Sequence, residues 1–236
     1  MLIFAMITSL FGTIIGAIIA LAFRKQANDF IALTLGFSGG VVLGIVFLDL
    51  VPEVLKARGV IFLSFYFIVG VIIFVAIRLL MTYSKSDVAR VSLMTAIAIM
   101  LHNFPEGIIM GIGFSSASVI GFEMAIMIII HDIPEGIALV STMMIEDRVK
   151  SKLKTMLYVF LTELPTAIGL LIGLASGGFG ENFINMNFAL AAGIMSYVCI
   201  VEMIPEAFIN GKYFKDIILS IVLGLFVSIM IILIVR

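Results

Sequence analysis

An all-α integral membrane protein is the fold class this sequence predicts, and three observations predict it. Of the 236 residues, 63% are hydrophobic and only 12% are charged, where a soluble domain has about 45–50% and 25%. Apolar runs recur between short polar breaks, each about the 20 residues that a helix needs to cross roughly 30 Å of hydrocarbon. The mean hydropathy is +1.30. No long hydrophilic stretch is present, so one transmembrane domain over 1–236 is expected, with no separate soluble unit.

Charged or Gly/Ser-rich breaks divide the chain into eight expected spans. They are Met1–Phe23, Phe30–Leu55, Val60–Tyr83, Val88–Phe114, Val119–Ile145, Leu153–Leu174, Phe183–Ile209 and Phe214–Val235. Met1–Phe23 lacks the basic residues that open a signal peptide, so it reads as a retained first span. Positive charge then orients the chain. Arg24, Lys25, Arg78, Lys85, Arg90, Arg148, Lys150, Lys152, Lys154, Lys212 and Lys215 fall on one side, and Lys56, Arg58 and Arg236 on the other. Basic residues mark the cytoplasmic face, so both termini are expected outside it.

Composition also excludes some functions. Net charge is −1, which gives no basic patch for nucleic acid. One cysteine, Cys199, rules out an internal disulfide and a CxxC zinc motif; it reads as a small buried apolar residue. Gly36, Gly39, Gly40 and Gly44 on the second span fit close helix packing.

Four of the five prolines sit in one repeated phrase. The copies are Asp49-Leu50-Val51-Pro52-Glu53, His102-Asn103-Phe104-Pro105-Glu106, His131-Asp132-Ile133-Pro134-Glu135 and Glu202-Met203-Ile204-Pro205-Glu206. The fifth proline follows Glu163 in Thr162-Glu163-Leu164-Pro165. On a helix, i and i+4 share a face, so His102 projects with Glu106 and His131 with Glu135. Asn103 and Asp132 are turned about 100° to a neighbouring face. Both pairs fall near mid-span on spans joined by a short loop around Ser115–Ser118, so they are expected to meet at one depth. Glu163 lies near the middle of the sixth span.

A carboxylate at mid-membrane costs about 2.5–3.5 kcal/mol even on lenient scales. Glu106, Asp132, Glu135 and Glu163 would share that depth with no Lys or Arg at mid-span beside them. A bound divalent cation would supply the missing positive charge. Imidazole with carboxylate is a ligand set suited to zinc and tolerant of iron, manganese or cadmium. Proline adds a second device, because it disturbs the carbonyl four residues back. Pro105, Pro134 and Pro165 would loosen the carbonyls of Leu101, Ile130 and Leu161. Interrupted helices at the midplane point to a transport site.

The acidic copies sit nearer the span ends. Asp49 and Glu53 are expected at the outer mouth, and Glu202 and Glu206 at the inner one. Spans two and seven run in opposite directions, as do four and five, which is the mark of an inverted repeat in a 3+2+3 arrangement.

The phrases His102-Asn103-Phe104-Pro105-Glu106-Gly107 and His131-Asp132-Ile133-Pro134-Glu135-Gly136 resemble the signature of the ZIP (Zrt/Irt-like) metal transporter family, in its compact prokaryotic ZupT/GufA-like branch. The resemblance covers the whole chain. It implies a binuclear site with His102, Glu106, His131 and Glu135 at one position. Asn103, Asp132 and Glu163 would complete the second, with Glu106 and Glu135 bridging. It implies import of divalent metal across the cell inner (plasma) membrane, by motion of one bundle against another, in a protein that is no enzyme, carries no organic cofactor and pairs as a homodimer. Two features depart from the family. The connection at Ser84–Ala89 has no histidine-rich loop. The second span offers Gly40-Val41-Val42-Leu43 where some relatives supply a methionine, which predicts a harder site of relaxed selectivity.

Two rival functions remain. An intramembrane metal-dependent hydrolase would need an open metal position, and its HExxH spacing is absent. A proton or anion carrier that uses no metal would keep metal binding unchanged in His102→Ala while losing transport.

Overall fold

The computed structural model describes residues 2–22, 28–82, 90–116, 118–145, 149, 151–175 and 180–235. Among these the secondary structure is helical, without strands. The helices are α1 (Leu2–Ala22), α2 (Asn28–Ile45), α3 (Val51–Thr82), α4 (Arg90–Ser116), α5 (Ser118–Ile145), α6 (Lys152–Ala175), α7 (Glu181–Val198), α8 (Ile204–Asn210) and α9 (Phe214–Val235). Five described segments are long and apolar enough to cross a membrane: Ala32–Leu80, Ser92–Ser115, Lys152–Ala175, Glu181–Asn210 and Phe214–Leu233. Of the basic residues used to orient the chain, Arg24, Lys25, Lys85, Arg148, Lys150 and Arg236 lie outside the described residues.

Ala32–Leu80, at 49 residues, is too long for one crossing. It is broken at Gly59, whose φ of 79° and ψ of 174° leave the helical region. Only glycine adopts that backbone without strain. A Cβ there would touch nothing within 4 Å, so conformation and not space requires the glycine. The second helical rod thus runs three residues past the expected Leu55.

The acidic and histidine phrases differ in backbone. Pro105, Pro134 and Pro165 lie inside continuous α-helices. Pro52 and Pro205 instead follow single π-helical turns, Val46–Leu50 and Cys199–Met203. In these turns the N–H of Val51 donates to the Val46 carbonyl, and that of Ile204 to the Cys199 carbonyl. Each bond reaches back five residues where an α-helix reaches four, and each is made by the residue just before the proline.

Packing sorts the helices into two bundles. One contains α1, α4, α5 and α6; the other contains α2, α3, α7, α8 and α9. They meet where α2 lies on α5 and α4 on α7. The tightest seams are inside the bundles. A Cβ at Gly12, Gly16 or Gly136 would strike backbone between α1 and α5, and one at Gly107, Gly111, Gly169 or Gly173 would do so between α4 and α6. Gly40 and Gly224 close α2 on α9, and Gly70 and Gly193 close α3 on α7. Lipid gives helices no hydrophobic reason to associate, so small residues that bring backbones together carry the packing. The last residue of each histidine phrase, Gly107 or Gly136, is explained this way. Exposed side chains such as Phe65, Ile72, Leu219 and Phe226 lie on α3 and α9.

Seam glycines of α1 and α6, and of α2 and α7, stand at one constant sequence offset. Gly16 faces the Ile133 carbonyl as Gly169 faces that of Phe104; Gly40 faces Ile221 as Gly193 faces Phe67. The same offset relates Thr13 to Thr166, Asp49 to Glu202, Pro52 to Pro205, and one π turn to the other.

Candidate metal centre

α4 carries His102, Asn103 and Glu106 into the middle of its bundle; α5 carries Asp132 and Glu135; α6 carries Glu163. All six side chains are buried, Glu163 completely. The backbone of His131 lies on α5, but its side chain is outside the described residues.

His102 reaches across to α5. Its Nε2 lies 2.9 Å from Oε2 of Glu135. A second polar group forms one residue further along α4. Asn103 Nδ2 donates to Oε1 of Glu163 at 3.1 Å and, more weakly, to the Thr162 carbonyl at 3.4 Å. Thr13 of α1 donates its hydroxyl to the same Oε1 at 2.7 Å, and Thr166 lies 3.5 Å from Oε2. Glu106 and Asp132 are buried beside these groups, each with an interaction of its own.

Several buried donor atoms remain unused. Oε1 of Glu135, Nδ1 of His102 and Oδ1 of Asn103 have no hydrogen-bond partner among the described residues. Buried polar atoms are rarely left so, because the loss of water is then uncompensated. Nitrogen and carboxylate oxygen in one buried place form a donor set for a borderline divalent cation. Among the described residues, no three His, Cys, Asp or Glu side chains are closed into a metal-ligating group. The polar groups face one another in pairs instead.

The model of the ZIP zinc transporter family matches residues 83–234. The chain belongs to the ZIP family. It is similar to a zinc transporter ZupT of Chlorobium phaeovibrioides, at 34% identity over 230 residues that cover 84% of this chain and 85% of the relative. It resembles the ZupT proteins of Streptococcus mutans, at 31% over 84% of each chain, and of Corynebacterium aurimucosum, at 30% over 85% of this chain and 84% of the relative. This ZIP family member is a multi-pass membrane protein.

The outer acidic residues take four different settings in this ZIP protein. Asp49 is buried in the first π turn, and Glu53 is exposed. Glu202 is buried in the second π turn, where its Oε1 lies 2.9 Å from Nε of Arg78. Arg78 also donates to the hydroxyl of Tyr197 at 2.8 Å. Glu206 is half-buried and accepts from Asn210 at 2.7 Å.

Sequence reasoning missed Thr13, Thr166 and Arg78. It assigned Arg78 only to the cytoplasmic border. The sequence signals were faint: Thr13 stands between Gly12 and Gly16 in an apolar run, and Thr166 follows Pro165.

Proposed function

We propose that this ZIP family member imports divalent metal cations into the cytoplasm, zinc first, with iron, manganese or cadmium as further cargo. The observation that carries this reading is the buried pairing of His102 with Glu135 and of Asn103 with Glu163. No Lys or Arg occurs from 91 to 147 to neutralise those carboxylates. The ZupT name of the relatives supports zinc as cargo. The ion would be held between His102, Glu106, His131 and Glu135, with Asn103, Asp132 and Glu163 forming the adjoining position of a binuclear site. Glu106 and Glu135 would bridge the two.

The chain is read as eight spans in a 3+2+3 inverted repeat, with both termini outside the cytoplasm of a bacterial-type inner membrane. Three observations support this. Gly59 divides the longest helical run in two. Glycines of α1 and α2 recur in α6 and α7 at a constant offset. Arg58 pairs with Glu181 at 3.1 Å, and Asp29 accepts from the backbone N–H of Lys212 at 2.6 Å; each contact joins ends that this topology puts on one side. Metal would enter past Asp49 and Glu53 and leave past Glu202 and Glu206. Transport would proceed by the α1/α4/α5/α6 bundle moving against the other, because glycine seams fasten each bundle internally while none of them crosses between bundles. Exposed apolar faces on α3 and α9 serve contact with lipid or with a second copy in a homodimer.

Zinc uptake into proteoliposomes tests the site. Wild type takes up zinc, whereas His102→Ala, Glu135→Ala and Glu163→Ala reduce uptake to near background. Wild-type rates in all three variants would remove the central site from the mechanism.

A further inference from the structure

A small cavity adjoins the His102/Glu135 pair, and Glu163 does not line it. Its volume is about 20 Å³, room for one water or one bare cation. His102 and Glu135 line it together with three sulfur-bearing residues, Met195, Cys199 and Met203. All three sulfur residues are buried, and Cys199 Sγ lies 3.8 Å from Met203 Sδ. The His102 and Glu135 side chains are 96% buried or more. They carry the unpartnered atoms already noted, Oε1 of Glu135 and Nδ1 of His102.

Packing alone does not call for sulfur at these positions, and the fold contains its own control. At the constant offset that relates α2 to α7, the counterparts of Met195, Cys199 and Met203 are Val42, Val46 and Leu50. Those aliphatic residues are buried or half-buried in the matching half. Val42 even lines the same cavity. At these corresponding positions the α2 half carries carbon, whereas the α7 half carries polarizable donors beside two unsatisfied ligand atoms.

We propose that Cys199, flanked by Met195 and Met203, forms a soft-donor subsite beside His102 and Glu135 that favours thiophilic cations, Cd2+ and Zn2+, over Mn2+. The inference rests on the transport reading above and adds the element of selectivity. Soft sulfur ligands prefer Zn2+ and Cd2+, while Mn2+ prefers oxygen. The absence of a methionine on the second span therefore does not leave the site hard, because sulfur arrives from α7. The group is open and not clamped, since no three His, Cys, Asp or Glu side chains among the described residues close on one point. Two of the three sulfurs are neutral thioethers, which are weak donors. Both features suit an ion that must leave again.

Two measurements test it. Purified wild-type protein titrated with Cd2+ should develop the ultraviolet thiolate-to-cadmium charge-transfer band as Cys199 releases its thiol proton to the buffer, and Cys199→Val should lack it. In proteoliposomes, Cys199→Val/Met203→Leu should lower the advantage of Cd2+ over Mn2+ as competitors of zinc uptake by about tenfold or more, the effect of losing soft donors. Absence of the band in wild type, its survival in Cys199→Val, or an unchanged Cd2+/Mn2+ ratio would each overturn the subsite. Failure of the transport reading looks different: wild type would take up no zinc, or His102→Ala would take it up normally, and the band is recorded without transport.

Discussion

Thr13 sits 150 positions from Glu163, yet its hydroxyl makes the shortest hydrogen bond to that carboxylate. Removing one partner of a buried polar pair leaves the other desolvated, at about 1–3 kcal/mol and more when it is charged. Thr13→Val is therefore expected to weaken zinc binding and lower the melting temperature in detergent, and Thr13→Ser to restore most of both. Equal behaviour of the two variants would show that the hydroxyl does not position Glu163. Arg78 and Glu202 form a second residue-scale test. Side chains of the pair are 27% and 6% exposed, and breaking a buried ion pair from one side costs about 3–5 kcal/mol. Arg78→Gln and Glu202→Gln should each destabilise the protein, and the double variant by less than their sum. Strict additivity in thermal melts would mean that the two charges do not depend on each other. This pair was not legible in the sequence, because an arginine near a span end reads as a topology marker until a partner from another helix is seen. His102, Glu135 and Glu163 were legible, because ionisable residues within apolar runs have few bland explanations. Thr13 was not, since one hydroxyl in a helix can return its bond to the preceding turn, as Thr162 does to the Val159 carbonyl.

At the scale of the element, one phrase produces two backbones. Histidine copies keep the α-helix through the proline, whereas acidic copies open a π turn just before it. The phrase itself was readable from its spacing. The π turns were not, because the choice between a strained α ladder and an inserted residue depends on neighbouring helices that local spacing does not report. Glycine at the end of the histidine copies is set by those neighbours too. Gly107→Ala would drive a methyl group into the Thr166 carbonyl, and Gly136→Ala into that of Thr13. Backbone cannot give way as a flexible side chain does, so each should cost at least the roughly 1–3 kcal/mol of an overpacked core. Gly180, whose Cβ would meet nothing within 4 Å, is the control: Gly180→Ala should melt with wild type. Comparable melting of all three variants would show that the α4–α6 and α1–α5 seams can relax.

Across the whole molecule, the seams divide tight contacts from slack ones. A polar bridge between the bundles joins Thr34 to Ser141, at 3.2 Å between hydroxyl oxygens of α2 and α5. A Thr34→Cys/Ser141→Cys pair closed by oxidation should stop zinc uptake, and reduction should restore it. A link inside one bundle, Arg58→Cys/Glu181→Cys, should leave uptake running. Transport that continues with the first link closed would rule out relative motion of the bundles at that point. Long apolar helices were expected from apolar run length, and the described residues bear that out. The division into bundles was not expected, because it depends on which glycines face which carbonyls, and a run such as Gly36, Gly39, Gly40 and Gly44 names no partner. That constant offset reaches further than packing. An offset of this kind is what a duplicated segment would leave, and in the topology proposed above its two copies would lie in the bilayer opposite ways up. On that reading the valines of α2 and the sulfurs of α7 would stand at corresponding positions of the two copies, and the difference between them would mark where the copies parted.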